Sequence, residues 1–480
     1  MFHFVTKEEV LDVLHGFNPW WTGKQEAIPP FRRLAFFIGR KHLEDSSLRR
    51  AILLAGPRRV GKSTILLQLA ADRIAAGAEP ASVLYLSLDN PVLRMVRLSE
   101  ILSIYHATMH AEGKPATLLL DEVHYANDWE LEIKQLVDHR PSYRILATGS
   151  ATVVQKHALA ESGVGRWLTV SVPTLSFYEF VQITREHQPD VSPTLIPSHL
   201  AKLDDAKRRA IAAALRPLLP LFQRYLFVGG FPETAMQSDV TLAQRLLRED
   251  VVERVLHRDM VSLFGVRNVD ELERLFLYLC FNSGGIFAVN TVASELGTTK
   301  TTIASHLEIL ERAHLIYRLA PIATGGKKIL KAKQKIYLVD AALRNAMLLR
   351  TAESVQREDL GMVVETTVLR HVIAYHYNDR PKFGYWRDAP SGKEVDVIVE
   401  SPAYNLPFEV KYRSNAVLTA SEGIVHYCRE ADVTEAMWVT RDDRDFDVVT
   451  FPGVRNQFVR VPAHILTFLL GQAERVKSGV

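Results

Sequence analysis

An apolar run, Ala51-Ile52-Leu53-Leu54-Ala55, leads into Gly56-Pro57-Arg58-Arg59-Val60-Gly61-Lys62-Ser63-Thr64. A helix-like run, Ile65-Leu66-Leu67-Gln68-Leu69-Ala70-Ala71, follows. Strand, glycine-bounded loop ending in Lys-Ser, then helix is the G-x-x-x-x-G-K-[ST] pattern in its required context. Gly56 and Gly61 let the backbone wrap an anion with its amides turned inward, and the helix start adds the positive end of its dipole. Lys62 offers a cation to the β- and γ-phosphates, Ser63 a hydroxyl to a metal, and Thr64 a second hydroxyl beside it. The loop from Gly56 through Thr64 therefore predicts ATP with Mg2+.

The surrounding pattern agrees. Short apolar strands are predicted at 51–55, 83–88, 117–121, 144–148 and 167–172, separated by helix-length stretches. That alternation implies an α/β fold with a parallel sheet covered on both faces. The strand Thr117-Leu118-Leu119-Leu120 delivers Asp121 and Glu122 to its carboxyl end. Asp121 suits the metal, and Glu122 suits a general base that polarises water, which favours hydrolysis over transfer to a second substrate. Ile145-Leu146-Ala147 ends in Thr148-Gly149-Ser150, where Thr148 or Ser150 could sense the γ-phosphate. Arg166, after Gly163-Val164-Gly165, is a candidate arginine finger for a neighbouring subunit's nucleotide, with a solvated arginine as the plainer reading.

Composition narrows the rest. A net charge of +3 over 480 residues gives no global attraction to nucleic acid, so such binding has to come from local patches. Two distant cysteines, Cys280 and Cys428, exclude a disulfide scaffold and a cysteine-rich zinc site and fit a reducing cytoplasm. No leader pattern opens the chain, and no apolar run is read as crossing a membrane. After Pro189, Pro193 and Pro197 the chain reads as helical to about 280, a lid on the ATPase core. From 281 to 345 it reads as helix, tight turn, helix and hairpin, a winged helix-turn-helix. There Lys300, Thr301, Thr302, Ser305 and His306 are the predicted outward positions of the second helix. Lys327, Lys328, Lys331, Lys333 and Lys335 cluster in the hairpin, where they could neutralise phosphates or simply be solvated.

Residues 346–480 mix strand and helix again. Glu394-Val395-Asp396 and Pro407-Phe408-Glu409-Val410-Lys411 read as two strands. Paired as a hairpin, they would set Asp396 opposite Glu409, with Lys411 on the same face as Glu409. Glu365 extends an otherwise apolar helix face. An acid pair with an amine, D-x(n)-E-x-K, is the restriction-type nuclease pattern, and its two carboxylates could hold Mg2+.

Taken together, Gly56–Thr64, Leu120-Asp121-Glu122-Val123-His124-Tyr125, Thr148-Gly149-Ser150, Gly165-Arg166, Leu175-Ser176-Phe177-Tyr178-Glu179-Phe180, Gly229-Gly230-Phe231-Pro232 and Lys335-Ile336-Tyr337-Leu338-Val339-Asp340 resemble a prokaryotic group of AAA-superfamily ATPases. That group carries a winged helix and a restriction-endonuclease-like domain of long-unknown function. The resemblance implies an ATPase at 1–182, a helical lid at 198–280, a winged helix at 281–345 and a nuclease-like domain at 346–480. It implies a sheet in which an extra strand separates the loop strand from the Asp-Glu strand. It also implies clustered oligomers such as a hexameric ring, with ATP between subunits. The expected function is an ATP-driven DNA motor or remodeller acting on branched DNA. The alternatives are an ATP-gated nuclease using Glu365, Asp396, Glu409 and Lys411, and an oligomeric switch that recruits a protein. His124, Trp129 and Asn18-Pro19-Trp20-Trp21 are read as packing residues.

Overall fold

The computed structural model describes residues 5–24, 27–149, 165–184, 189–322, 333–351, 357–388, 390–431 and 433–479. They form two compact units, 1–173 and 174–479.

In the first unit, β1 (Ala51–Ala55), β2 (Val83–Ser87), β3 (Ala116–Asp121), β4 (Tyr143–Gly149) and β5 (Trp167–Ser171) form one parallel sheet in the order β2-β3-β4-β1-β5. Each predicted strand is present to within a residue. As the resemblance implied, β4 lies between the loop strand β1 and the Asp-Glu strand β3. The first three strands are buried along their whole length, as helices on both faces of a parallel sheet require. Leu53, Leu84, Leu86, Leu118, Leu120 and Ile145 share one core.

The segment read as packing covers the exposed edge at β2. Asn18 accepts from the Tyr85 amide at 2.7 Å and donates to the Tyr85 carbonyl at 2.8 Å, as a paired strand residue would. The indoles of Trp20 and Trp21 both donate to the Val83 carbonyl, at 3.0 and 3.1 Å. An edge satisfied in this way cannot recruit a foreign strand.

The second unit is built on a nine-stranded sheet. Its strands are β6 (Ile286–Phe287), β7 (Ile316–Pro321), β8 (Gln334–Leu338), β9 (Lys382–Arg387), β10 (Glu394–Glu400), β11 (Asn405–Lys411), β12 (Ala436–Thr440), β13 (Asp447–Val449) and β14 (Phe458–Pro462). Their order is β13-β14-β12-β11-β10-β9-β7-β8-β6. This sheet runs across the expected boundary at 345/346. The hairpin β7–β8 and the strands after 346 are one sheet, stitched by parallel pairing of Ala320 with Gly384 and Pro321 with Tyr385. A β-carbon on Gly384 would lie 2.4 Å from the Ala320 carbonyl oxygen, so only glycine permits that approach.

The helices at 198–280, expected as a lid, group with this second unit. There Asn345 donates to the Leu226 carbonyl at 3.1 Å and Gln244 to the Arg350 carbonyl at 2.9 Å. One helical stretch, Asp205–Val228, is by length and composition apolar enough to cross a membrane, against the sequence expectation. Its Leu215, Leu218, Phe222 and Val228 are buried within the second unit, where a core helix has the same composition.

Three of the runs that carried the resemblance meet in a buried polar node of this unit. Leu175 donates its amide to Gly230 at 2.5 Å, Gly230 donates its own to Asp340 at 2.9 Å, and the Phe177 amide donates to His371 at 2.8 Å. Arg370 donates to Thr174 through Nε at 3.2 Å. These bonds tie the three runs together within the unit.

Candidate functional site

The phosphate loop leaves β1 at Gly56 and enters the helix Lys62–Ala75 through Gly61, whose φ of 92° is left-handed. Gly56 is needed for space: a β-carbon there would stand 2.0 Å from the Val172 carbonyl oxygen. Val172 is fixed in turn by donating its N–H to the Ala55 carbonyl at 2.8 Å. Below the loop, buried Arg33 donates to the Val60 carbonyl at 2.8 Å. Lys62 is buried and donates its amine to the carbonyls of Gly56 at 3.0 Å and Pro57 at 2.8 Å. Arg58, Arg59, Ser63 and Thr64 are partly exposed along the loop and the helix start.

Beside the loop stands Asp121, buried at the end of β3. Burial raises its pKa first, and the charge of Glu122 adds to that. Hydrogen bonds from Ser63 and Thr148 and the charge of Lys62 oppose it. Thr148 lies at the end of β4 and is fully buried. Its hydroxyl donates to Asp121 and accepts from the Glu122 amide at 2.9 Å. Thr148 thus braces the Asp-Glu pair within its own chain, a role different from the expected contact with the γ-phosphate. Ser150, Gly163 and Val164 lie outside the described residues.

Glu122 has a left-handed backbone, with φ at 50°. Its carboxylate lies 3.3 Å from His124 Nδ1, and the His124 ring is 4.3 Å from the Tyr125 ring. Sequence reasoning assigned His124 no chemistry, although its place two residues past Glu122 was the available signal. Tyr85 on β2 was missed altogether: its hydroxyl donates to Asp121 at 3.1 Å. Only the neighbouring register of β2 and β3 brings the two together. Arg166 pairs with Asp138 of the same chain, Nε to Oδ1 at 3.1 Å.

The donor set fits nucleotide-bound Mg2+. A hydroxyl and a buried carboxylate short of positive charge stand side by side, next to a loop that leaves no room for a β-carbon.

The second expected site is assembled in part. The register of β10 and β11, Val397 opposite Phe408, carries Asp396 to Glu409 at the next step. Asp396 accepts the Val410 amide at 2.9 Å, and Lys411 pairs with Glu409. Burial, followed by the charge of Asp396, pushes the pKa of Glu409 well up. Glu365 is pushed up to about 7, by burial first and Asp396 second, and accepts the Tyr337 hydroxyl at 2.6 Å.

The unforeseen member is Lys335. It was grouped with the hairpin lysines as a phosphate contact but is buried and turned inward. Its amine touches Glu394 and lies 3.4 Å from Asp396 and 3.6 Å from Glu365. Burial would lower its pKa, but Glu365, Asp396 and Glu394 outweigh that and hold the ammonium above its usual range. Among the described residues no three His, Cys, Asp or Glu side chains converge to hold a metal ion. As it stands, this acid set does not fit Mg2+.

The candidate DNA face follows the helix Val289–Glu295, the turn through Thr298 and the helix Lys300–Arg312. Lys300, Thr301 and Ser305 are exposed, whereas Thr302 is half-buried and bonded to Thr299. His306 points inward rather than outward, 3.3 Å from Glu271. Lys327, Lys328 and Lys331, with Gly325 and Gly326, lie outside the described residues.

Comparison with known proteins gives three family matches: an AAA domain over residues 48–181, and two domains of unknown function, DUF8612 over 219–354 and DUF4143 over 360–462. Residues 48–181 are thus an AAA-type P-loop ATPase domain. An uncharacterized protein of Methanocaldococcus jannaschii is 25% identical over 375 residues, 75% of each chain. An uncharacterized protein of Haemophilus influenzae is 26% identical over 300 residues, 61% of this chain and 68% of that one. Among solved structures, the Thermotoga maritima RuvB Holliday junction branch migration motor aligns at 18% identity over 62% of this chain and 92% of its own, with a TM-score of 0.29. The replication initiator DnaA bound to AMPPCP and single-stranded DNA aligns at 18% identity over 62% and 92%, with a TM-score of 0.27. Superpositions that loose carry no argument about this chain.

Proposed function

We propose that this chain is an ATP-hydrolysing, DNA-binding oligomer that uses turnover to move or remodel DNA, branched DNA included. The observation that carries the ATP half is the Asp121–Glu122 pair, braced by Thr148 and set beside Lys62 and the Gly56–Gly61 loop. Mg2+–ATP, when bound, supplies the anhydride bond whose cleavage drives the change. The loop amides and the Lys62 amine, released from the Gly56 and Pro57 carbonyls, bind the phosphates. Ser63 and Asp121 would hold the Mg2+. Glu122, oriented by His124, orients the attacking water and takes its proton at a carboxylate oxygen. Arg166 reaches a neighbouring subunit's nucleotide only by leaving Asp138.

The DNA half is supported by exposed Lys300, Thr301 and Ser305 at the start of a helix that follows a tight turn, and by the lysines between β7 and β8 in sequence. Helix, turn, helix and the hairpin β7–β8 are read as a winged helix. ATP turnover and low-salt mobility shifts test the proposal, using linear, single-stranded, forked and four-way DNA. Lys62→Ala is expected to abolish turnover, and Lys300→Ala to weaken a salt-sensitive shift. Normal turnover by Lys62→Ala refutes the site. Turnover with no shift on any DNA refutes the DNA half and favours the protein-recruiting switch. The nuclease alternative rests on the alignment of Asp396 with Glu409 and Lys411. Lys335 at the carboxylates argues against it, and magnesium-dependent cleavage that Asp396→Ala removes while ATP turnover stays would reinstate it.

A further inference from the structure

The acid set of the second unit draws its four carboxylates from three elements. Glu365 comes from the helix Arg357–His376, Glu394 and Asp396 from β10, and Glu409 from β11. The cations facing them are Lys335 from β8, Lys411 from β11 and Arg387 from β9, the last 3.8 Å from Glu394. Lys335 is the central one. It is 2% exposed, contacts three of the four carboxylates, and lies 5.5 Å from the Tyr385 ring centroid.

A second observation comes from Glu409 in the same set, on which the charges of Asp396 and Lys335 both act. Glu409, 3% exposed, has one carboxylate oxygen paired with Lys411 and the other, Oε2, without a hydrogen-bond partner among the described residues. A buried carboxylate oxygen left bare is costly unless a positive charge stands near it. Carboxylates grouped this closely stay ionised only around a cation, and an ammonium and a divalent ion compete for that position. The lysine is delivered firmly. Its strand is anchored by the Tyr385 hydroxyl, which donates to the Lys333 carbonyl at 2.8 Å, and the partner strand β7 is stitched to β9 at Gly384.

We propose that the Lys335 ammonium is the resident cation of this acid set, occupying the position of a divalent ion, and that removing it turns Glu365, Glu394 and Asp396 into a divalent-cation site. The wild-type second unit then holds itself together without metal at this position, and its carboxylates are closed to one while Lys335 stays. This is independent of the phosphate-loop reading.

The test titrates the nucleotide-free full-length chain with Mn2+ and counts the free ion by electron paramagnetic resonance, alongside thermal melts in chelator and in Mn2+. Wild type is expected to take up no Mn2+ that Asp396→Asn removes, and to melt alike with and without the ion. Lys335→Met keeps the length of the side chain and drops the charge. It is expected to take up an extra ion per chain and to melt higher in Mn2+ than in chelator. Adding Glu394→Gln should weaken that uptake at least about tenfold, because even groups outside the ligand shell matter at that scale.

Wild-type uptake abolished by Asp396→Asn overturns the proposal, as does a folded Lys335→Met that takes up no more ion than wild type. If Lys335→Met is insoluble in chelator, recovery of folded protein in Mn2+ supports the proposal. If it is insoluble in both, the double variant Lys335→Met/Glu394→Gln decides. Recovery then shows that charge balance had failed, and continued insolubility shows that packing had, which overturns it. ATP turnover by the same preparations reports separately on the phosphate loop.

Discussion

Thr148→Val keeps the shape of the side chain and deletes its hydroxyl. In the structure that hydroxyl does two things at zero exposure: it donates to the buried Asp121 carboxylate and accepts the Glu122 amide at 2.9 Å. Losing a donor to a charged group costs about 1.5–3 kcal/mol, and orphaning a buried amide about 1–3 kcal/mol. Valine adds no clash, so about 3 kcal/mol of destabilisation is expected once the pair relaxes. For a unit of residues 1–173 that is a fall of about 6–12 °C in its melting temperature. The amide also helps hold Glu122 in its left-handed backbone, so the carboxylate should lose its aim and kcat should fall on the order of 100-fold, the scale of a general base. Calorimetry without nucleotide reads the first effect, and a coupled ATP assay at saturating ATP the second. Thr148→Ser, which restores the hydroxyl, should recover most of both. A valine variant within about 0.5 kcal/mol of wild type and with unchanged kcat would refute the idea that Thr148 orders the two carboxylates.

Gly56→Ala drives a β-carbon into the Val172 carbonyl at 2.0 Å, so the loop has to shift by about 1 Å; ATP turnover should fall about 100-fold, and unchanged turnover would contradict the close approach. Tyr85→Phe removes only the 3.1 Å bond to Asp121 and should cost the first unit about 1–2 kcal/mol in a urea melt, whereas a gain in stability would argue against that bond. His464 is buried, and burial pushes its pKa down to about 3, below the 6.5 of the unfolded chain. The unfolded state therefore binds the proton first. The stability of the neutral ring is intact above pH 6.5 and is lost as the pH falls toward 3, by about 2 kcal/mol at pH 5. His464→Phe should flatten that limb of the stability–pH curve, and parallel curves for variant and wild type would reject it.

What could be read along the chain was whatever a short stretch encodes by itself. The strand–loop–helix at Ala51–Ala75, the carboxylates at the end of β3 and the alternation of five strands are local patterns, because backbone geometry repeats every few residues and a phosphate loop is a contiguous peptide. The register of Asp396 with Glu409 was legible for the same reason: β10 and β11 are joined by a short turn that sets their pairing. The strands β13 and β14 escaped notice, being three and five residues long just ahead of a helix.

Tertiary structure alone decided the partners that come from far away. Tyr85 reaches Asp121 because β2 pairs with β3 across a helix of intervening chain, and Thr148 braces the Asp-Glu pair because β4 lies on the other side. The hairpin and the C-terminal strands became one sheet through two residue pairs at Gly384. Lys335 looked like one more solvated lysine in a basic run. It is a buried cation because strand alternation turns it inward and the fold collects three carboxylates from two other elements around it. A sequence declares which charges a chain owns. Which of them meet depends on closing loops tens of residues long, and only the packing of the whole unit determines that.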